Sequence, residues 1–211
     1  MKNGDAVHVF DSGGNAYDAV LEANELPVRA RLERALGAPP SSTLAITLAQ
    51  AIPKGQKMDF IVEKATELGV VRIVPLITER TIAGDARAAK LERWQRLART
   101  AAQQCGRRDV PAIESPQSWD DFCARAGRFE RTFVLWELAE RRPLRERLPE
   151  LIEGRKNISI AIGPEGGFSH AEIEQAEAVG ATTISLGHRI LRTETAGLVA
   201  CSLFLYAAGD L

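Results

Sequence analysis

"ISIAIGPEGGFSHAEIEQA", residues 158–176, runs from an apolar stretch through three glycines, a proline and a glutamate into a helical pattern. The apolar run 158–162 reads as a buried strand. Ser169 and Glu172 form Ser-x-x-Glu, a capping box, so a helix starts at Ser169 and the glycines lie in the turn before it. Gly163, Gly166 and Gly167 permit positive φ and the close approach of a backbone or a ligand, and Pro164 stiffens the turn. Turns of this layout often hold phosphate. Neither G-x-G-x-x-G nor G-x-x-x-x-G-K-[ST] is present, however, and Glu165 would repel a phosphate. A tight strand-to-helix turn with no ligand is one reading. If a ligand binds, a neutral or cationic one suits the stretch better.

The same rhythm recurs on both sides. Strands are expected at 43–52, 71–78, 132–138 and 182–186. Helices are expected from "KMDFIVEKATELGV" to its stop at Gly69, over 86–105, at "WDDFCARA", at "PLRERLPELI", and from about Thr193 to Ala208. Phe60, Ile61, Ala65 and Leu68 mark the inner face of the first helix. Leu91, Trp94, Leu97, Ala98 and Ala101 mark that of the second. Alternating strands and helices imply an α/β fold, a parallel sheet with helices on both faces. Residues 5–36 differ: "AVHVF", a "DSGGN" turn, "AYDAVLEA" and "PVRARLERAL" read as up to three strands. Residues 37–43, "GAPPSST", read as a linker. The expected division is therefore a β-rich lobe, 1–38, and an α/β domain, 43–211.

Two further strand ends carry unusual residues. "LGHRILRTETAGLVA" (186–200) places Gly187 after a strand, with a helix capped by Thr193 or Thr195 and flanked by Arg192 and Glu194. "LWEL" (135–138) ends a strand on Glu137. Ligands of parallel sheets bind at the carboxyl ends of strands, so the three stretches could line one pocket. Taken singly, each is also explained by capping, a salt bridge or an exposed acid.

Composition is that of a globular domain, 45% hydrophobic and 26% charged. No apolar run is long enough to span a bilayer, and the start lacks a secretory pattern. Cys105, Cys123 and Cys201 suit buried, reduced thiols in a cytoplasmic protein. His8, His170 and His188 lack metal-ligand spacing, so no metal is expected. The net charge of −1 exerts no global pull on nucleic acid, but residues 80–108 hold eight basic residues against Asp85 and Glu92, a local +6.

In order and spacing, "IGPEGGFS..EI" followed by "LG.RILRTETA" resembles the ribosomal RNA small-subunit methyltransferase E family. "K..KMDFIVEKATELGV..I.PL.TERT" and "RW.R.A..AAQQCGR..VP" agree with it. The resemblance covers roughly 43–211. It implies the SPOUT class with a C-terminal trefoil knot, which general rules of topology would not suggest. It also implies an N-terminal lobe similar to PUA RNA-binding domains. Members usually carry strands before "GD", so the lobe here is expected to be truncated or reduced.

The activity implied is methylation of a uridine N3 in 16S small-subunit ribosomal RNA by a homodimer, with S-adenosylmethionine as cofactor. Carried over, the cofactor meets Leu135, Trp136, Glu137, Ile162, Gly163, Pro164, Gly166, Gly167, Leu186, Gly187, Ile190, Leu191, Thr195 and Ala196. Uracil N3 is a poor nucleophile until its proton leaves. Glu194 or Glu165 is a candidate base, and Arg192 a candidate cation facing the developing charge. Burial would raise such a carboxylate's pKa and a neighbouring arginine would lower it. For RNA contacts Arg107 and Gln104 come first, then Arg80, with Lys54 and Lys57 weaker. Leu198, Val199, Leu203, Phe204 and Tyr206 leave apolar surface for a dimer. The alternatives are a related SPOUT enzyme acting on another RNA nucleotide, and a non-enzymatic RNA-binding protein of the same fold.

Overall fold

The computed structural model describes residues 1–11, 15–24, 26–37, 42–82, 87–139 and 144–211. The chain divides into two compact units: 1–41 with 102–109, and 42–101 with 110–211. The first holds an antiparallel sheet of β1 (Ala6–Phe10), β2 (Ala16–Glu22) and β3 (Arg29–Leu36), in that spatial order. All three strands follow the sequence reading, whereas most of the linker lies outside the described residues. Residues 102–109, which in sequence belong to the later domain, group with this first unit.

The second unit is a parallel sheet. Its long strands are β4 (Ala45–Ala51), β5 (Arg72–Ile77), β8 (Arg131–Leu135), β9 (Asn157–Ile162) and β10 (Thr182–Ile184). Two short strands that periodicity could not reveal, β6 (Ala112–Ile113) and β7 (Gln117–Ser118), pair with β5. The order is β10-β8-β9-β4-β5-β6. Among the described residues six α-helices accompany it: α1 (Lys57–Leu68), α2 (Arg87–Cys105), α3 (Trp119–Ala124), α4 (Leu144–Ile152), α5 (His170–Ala178) and α6 (Thr193–Ala208).

Successive strand residues point to opposite faces, and the core shows this directly. Ile46, Leu48, Phe133, Ile158 and Ile160 pack with Ile61, Trp94, Leu148 and Phe204 of α1, α2, α4 and α6. Ala49, Val134 and Ala161 pack with Trp119, Phe122 and Ile173 of α3 and α5. Small strand residues on the second face let those two helices lie close. Phe133 and Phe204 rings meet at 4.8 Å, joining β8 to α6.

Local signals set the helix ends. Gly69 adopts φ 103° and closes α1, its N–H reaching the last turn. Ser169 caps α5 as expected: its hydroxyl accepts from the Glu172 N–H at 3.3 Å, and the Glu172 carboxylate accepts from the Ser169 N–H at 2.9 Å. Three expectations are corrected. Phe60 is 49% exposed; Met58, Ile61, Val62, Ala65 and Thr66 form the buried face of α1. The strand through 132–138 stops at Leu135, because Trp136 onwards turns over. The N-cap of α6 is Arg192, not Thr193 or Thr195. The Thr193 hydroxyl is engaged elsewhere.

Among the described residues no helix is long and apolar enough to cross a membrane. Nor does any group of three or more His, Cys, Asp or Glu come together as a metal site.

Candidate active site

A cavity of about 610 Å³ opens at the carboxyl ends of β8, β9 and β10. All three stretches singled out in the sequence line it. Leu135, Trp136 and Glu137 come from the end of β8. Ile162, Gly163, Pro164, Glu165, Gly166 and Gly167 follow β9. Leu186, Gly187, Ile190, Leu191, Arg192 and Ala196 lie between β10 and the start of α6. Thr195 is exposed on α6, outside the lining. Lys57, which the sequence suggested only as a weak RNA contact, also lines the cavity, as do Ile184 and Ser185, which the sequence did not single out. Lys57 begins the helix after β4, whose carboxyl end belongs to the same pole of the sheet, and that position was the available clue.

The glycine turn is held from four sides. The Thr193 hydroxyl donates to the Gly163 carbonyl at 2.6 Å and accepts from Gln50 Nε2 at 2.9 Å. Gln50 is fully buried at the end of β4, so β4, the turn and α6 meet on one threonine. Arg80 Nη1 donates to the Gly166 carbonyl at 2.7 Å. Gly167 sits at φ 67°, which strains any other residue, and a Cβ there would lie 3.1 Å from Glu137 Oε1, so that carboxylate would have to shift. A Cβ on Gly163 would press within 3.2 Å of Phe168.

On the fourth side, Glu165 Oε1 accepts from the Lys54 N–H at 3.1 Å and from Lys57 Nζ at 3.2 Å. Burial pulls the Glu165 carboxyl upwards. Its own N–H, the Lys54 N–H and the Lys57 ammonium outweigh that and hold it below the usual glutamate range. Lys57 Nζ also lies 3.3 Å from Glu194 Oε2. Glu194, on the first turn of α6, sits behind Lys57 rather than in the cavity wall. Glu165 first, and then Glu194, raise the Lys57 pKa against its partial burial.

Arg192 is exposed, lines the cavity and makes no ion pair among the described residues. The arrangement therefore offers apolar walls from Leu135, Ile162, Leu186 and Leu191, two carboxylates, Glu137 and Glu165, and three cations, Lys57, Arg189 and Arg192.

The remaining sequence candidates lie elsewhere. Arg107 is 13% exposed and pairs with Asp109 at 2.5 Å. Gln104 is exposed on the last turn of α2. Arg80 and Lys54 are exposed, each tied to the glycine turn as described. Two further arginines of the basic stretch 80–108, Arg96 and Arg99, are exposed on α2, whereas Arg93 pairs with Asp59 at 2.5 Å.

Residues 40–205 match the RNA methyltransferase domain family. The chain is 35% identical to the ribosomal RNA small subunit methyltransferase E of Synechocystis, covering 95% of this chain and 65% of that protein. It is 32% identical to that of Buchnera aphidicola subsp. Schizaphis graminum, covering 100% and 85% respectively. The crystal structure of the Neisseria gonorrhoeae ribosomal RNA small subunit methyltransferase E, bound to S-adenosyl methionine, superposes with a TM-score of 0.86 at 31% identity over 98% of this chain and 84% of that one. The chain spans about two thirds of the Synechocystis and Bacillus subtilis relatives, 65% and 66% of their lengths. The ordered strand-end motifs and these likenesses agree: the chain belongs to the ribosomal RNA small subunit methyltransferase E family.

Proposed function

We propose that the chain binds S-adenosylmethionine in the 610 Å³ cavity and methylates N3 of a uridine in 16S ribosomal RNA. The observation that carries the reading is the convergence of three strand-end stretches on one glycine-floored cavity. Its volume lies within the usual range for small-molecule sites. The residues fit a flat adenosine joined to a cationic sulfonium. The glycines bring backbone close, Leu135, Ile162, Leu186 and Leu191 supply apolar walls, and Glu137 and Glu165 place carboxylates beside the glycine turn.

The cofactor supplies an electrophilic methyl group. The chain must hold uracil N3 in line with it and help the N3 proton to leave. Arg192 is suited to face the charge that develops on the uracil oxygens, since no carboxylate neutralises it. Glu165 lies in the wall, but its lowered pKa makes it a weak base. Glu194 is held behind Lys57. Activation by the Arg192 charge is therefore the larger contribution in this proposal, with a carboxylate taking the proton.

Exposed Arg96 and Arg99, together with Arg80, Lys54, Gln104 and Arg107, are the proposed RNA contacts. Phosphate contacts of this kind position the strand without selecting the uridine. The β1–β3 lobe is proposed as a PUA-like RNA-binding element. A C-terminal trefoil knot is supported by the return of the chain from β10, at the sheet edge, to pack α6 on β4 and β9. A homodimer is supported by α6, where Leu203 is 39% and Tyr206 74% exposed while Phe204 is buried.

The test is methyl transfer from labelled S-adenosylmethionine to small ribosomal subunits from a strain lacking the gene. Label should appear in N3-methyluridine on nucleoside analysis. Label in another nucleotide, or none, would sink the assignment.

A further inference from the structure

Lys57 Nζ sits 3.2 Å from Glu165 Oε1 and 3.3 Å from Glu194 Oε2. The three residues come from different places: the first residue of α1, the glycine turn after β9, and the first turn of α6. We propose that Lys57 is a positioning residue whose ammonium holds the glycine turn and the α6 start together as one wall of the cavity. The proposal rests on the reading of that cavity as the S-adenosylmethionine site.

The charges around the triad support a specific role. Among the described residues, Lys57 is the only cation that ion-pairs with either carboxylate. Lys54 offers Glu165 its backbone N–H, and Arg80 is bound to the Gly166 carbonyl. Arg192 makes no ion pair, and Asp59 on α1 is held by Arg93. Both carboxylate oxygens reach one nitrogen, so they lie within about 6.5 Å of each other. Two like charges at that range repel unless a cation sits between them. A compact ammonium with three donors suits two acceptors from separate elements.

The fold does not depend on this link. The Lys57 side chain is 36% exposed, and Thr193 and Arg80 still hold the turn. Lys57→Met keeps the apolar stem and removes the charge, so it should fold with the two acids facing each other.

The test is calorimetric titration of S-adenosylmethionine into the whole chain, for wild type, Lys57→Met and Lys57→Arg, at pH 8 and pH 5.5. At pH 8 Lys57→Met should bind about tenfold more weakly, the loss of a partly buried ion-pair network. The deficit should shrink at pH 5.5, because a repelling carboxylate pair takes up a proton more readily. Lys57→Arg should restore most of the affinity at both pH values. Without any ligand, amide exchange over 163–168 should be faster in Lys57→Met. Unchanged exchange, or Lys57→Met binding within twofold of wild type at pH 8, would overturn the proposal. So would a deficit that ignores pH and is not restored by arginine. Absence of binding by the wild type would overturn the cofactor reading itself, whereas the exchange measurement would still judge the clamp.

Discussion

Thr193→Val keeps the shape of a β-branched side chain and removes a hydroxyl that carries two buried hydrogen bonds. The Gly163 carbonyl loses the donor seen at 2.6 Å. An acceptor stranded in a buried site costs about 1–3 kcal/mol. Gln50 Nε2 loses its contact at 2.9 Å but keeps one to the Ala51 carbonyl at 3.2 Å, so its share is smaller. Helix propensity hardly changes between threonine and valine. The expected destabilisation is therefore about 2–3 kcal/mol, or roughly 5–10 °C in melting temperature for a chain of this size. The turn would also lose its tie to α6, and affinity for S-adenosylmethionine should fall. Thermal melts with calorimetric binding read both effects, and Thr193→Ser, which retains the hydroxyl, should recover most of each. A valine variant melting within 2 °C of wild type and binding equally well would refute the view that this hydroxyl anchors the turn.

Three other outcomes follow from named contacts. Burial pulls Asp210 up, but the Ser42 and Thr43 hydroxyls and the Thr43 and Leu44 N–H groups outweigh it and lower its pKa. Stability gained from a lowered carboxylate is fully present above the unfolded pKa of about 3.9 and lost as pH falls through the folded one. The stability difference between wild type and Asp210→Asn should thus be level above about pH 5 and shrink towards pH 3 in urea titrations. Gly167→Ala should weaken stability by about 1–2 kcal/mol through its positive φ and its approach to Glu137 Oε1; adding Glu137→Ala should relieve only the second part. Burial drives the Cys201 thiol up to about 12, and burial with Asp120 and Glu172 does the same for Cys123. Cys105 is exposed, against the expectation that all three thiols are buried, so at pH 8 a thiol reagent should modify it quickly and the other two only after unfolding.

Much of the fold was legible because its boundaries are chemical. The Ser169 capping box, the Gly69 terminator and the glycine after β9 are local signals, readable from neighbouring residues alone. Paired two-residue strands such as β6 and β7 have no period to detect. Residues 102–109 group with a sheet that lies far earlier in the chain, which no local signal could show. Thr193 looked like a helix cap because its partners, Gln50 and Gly163, are 143 and 30 residues distant. Lys57 was read as a weak RNA contact for the same reason: Glu165 lies 108 residues away. Long-range polar contacts decide these roles, and spacing alone carries no record of them.

S-adenosylmethionine, and not a phosphate ligand, is the proposed occupant of the cavity. A calorimetric titration of the whole chain measures this directly. S-adenosylmethionine should bind saturably, one per chain, in competition with S-adenosylhomocysteine, and ATP at the same concentration should give no measurable heat. No saturable heat with S-adenosylmethionine, or tighter binding of ATP, would contradict the account.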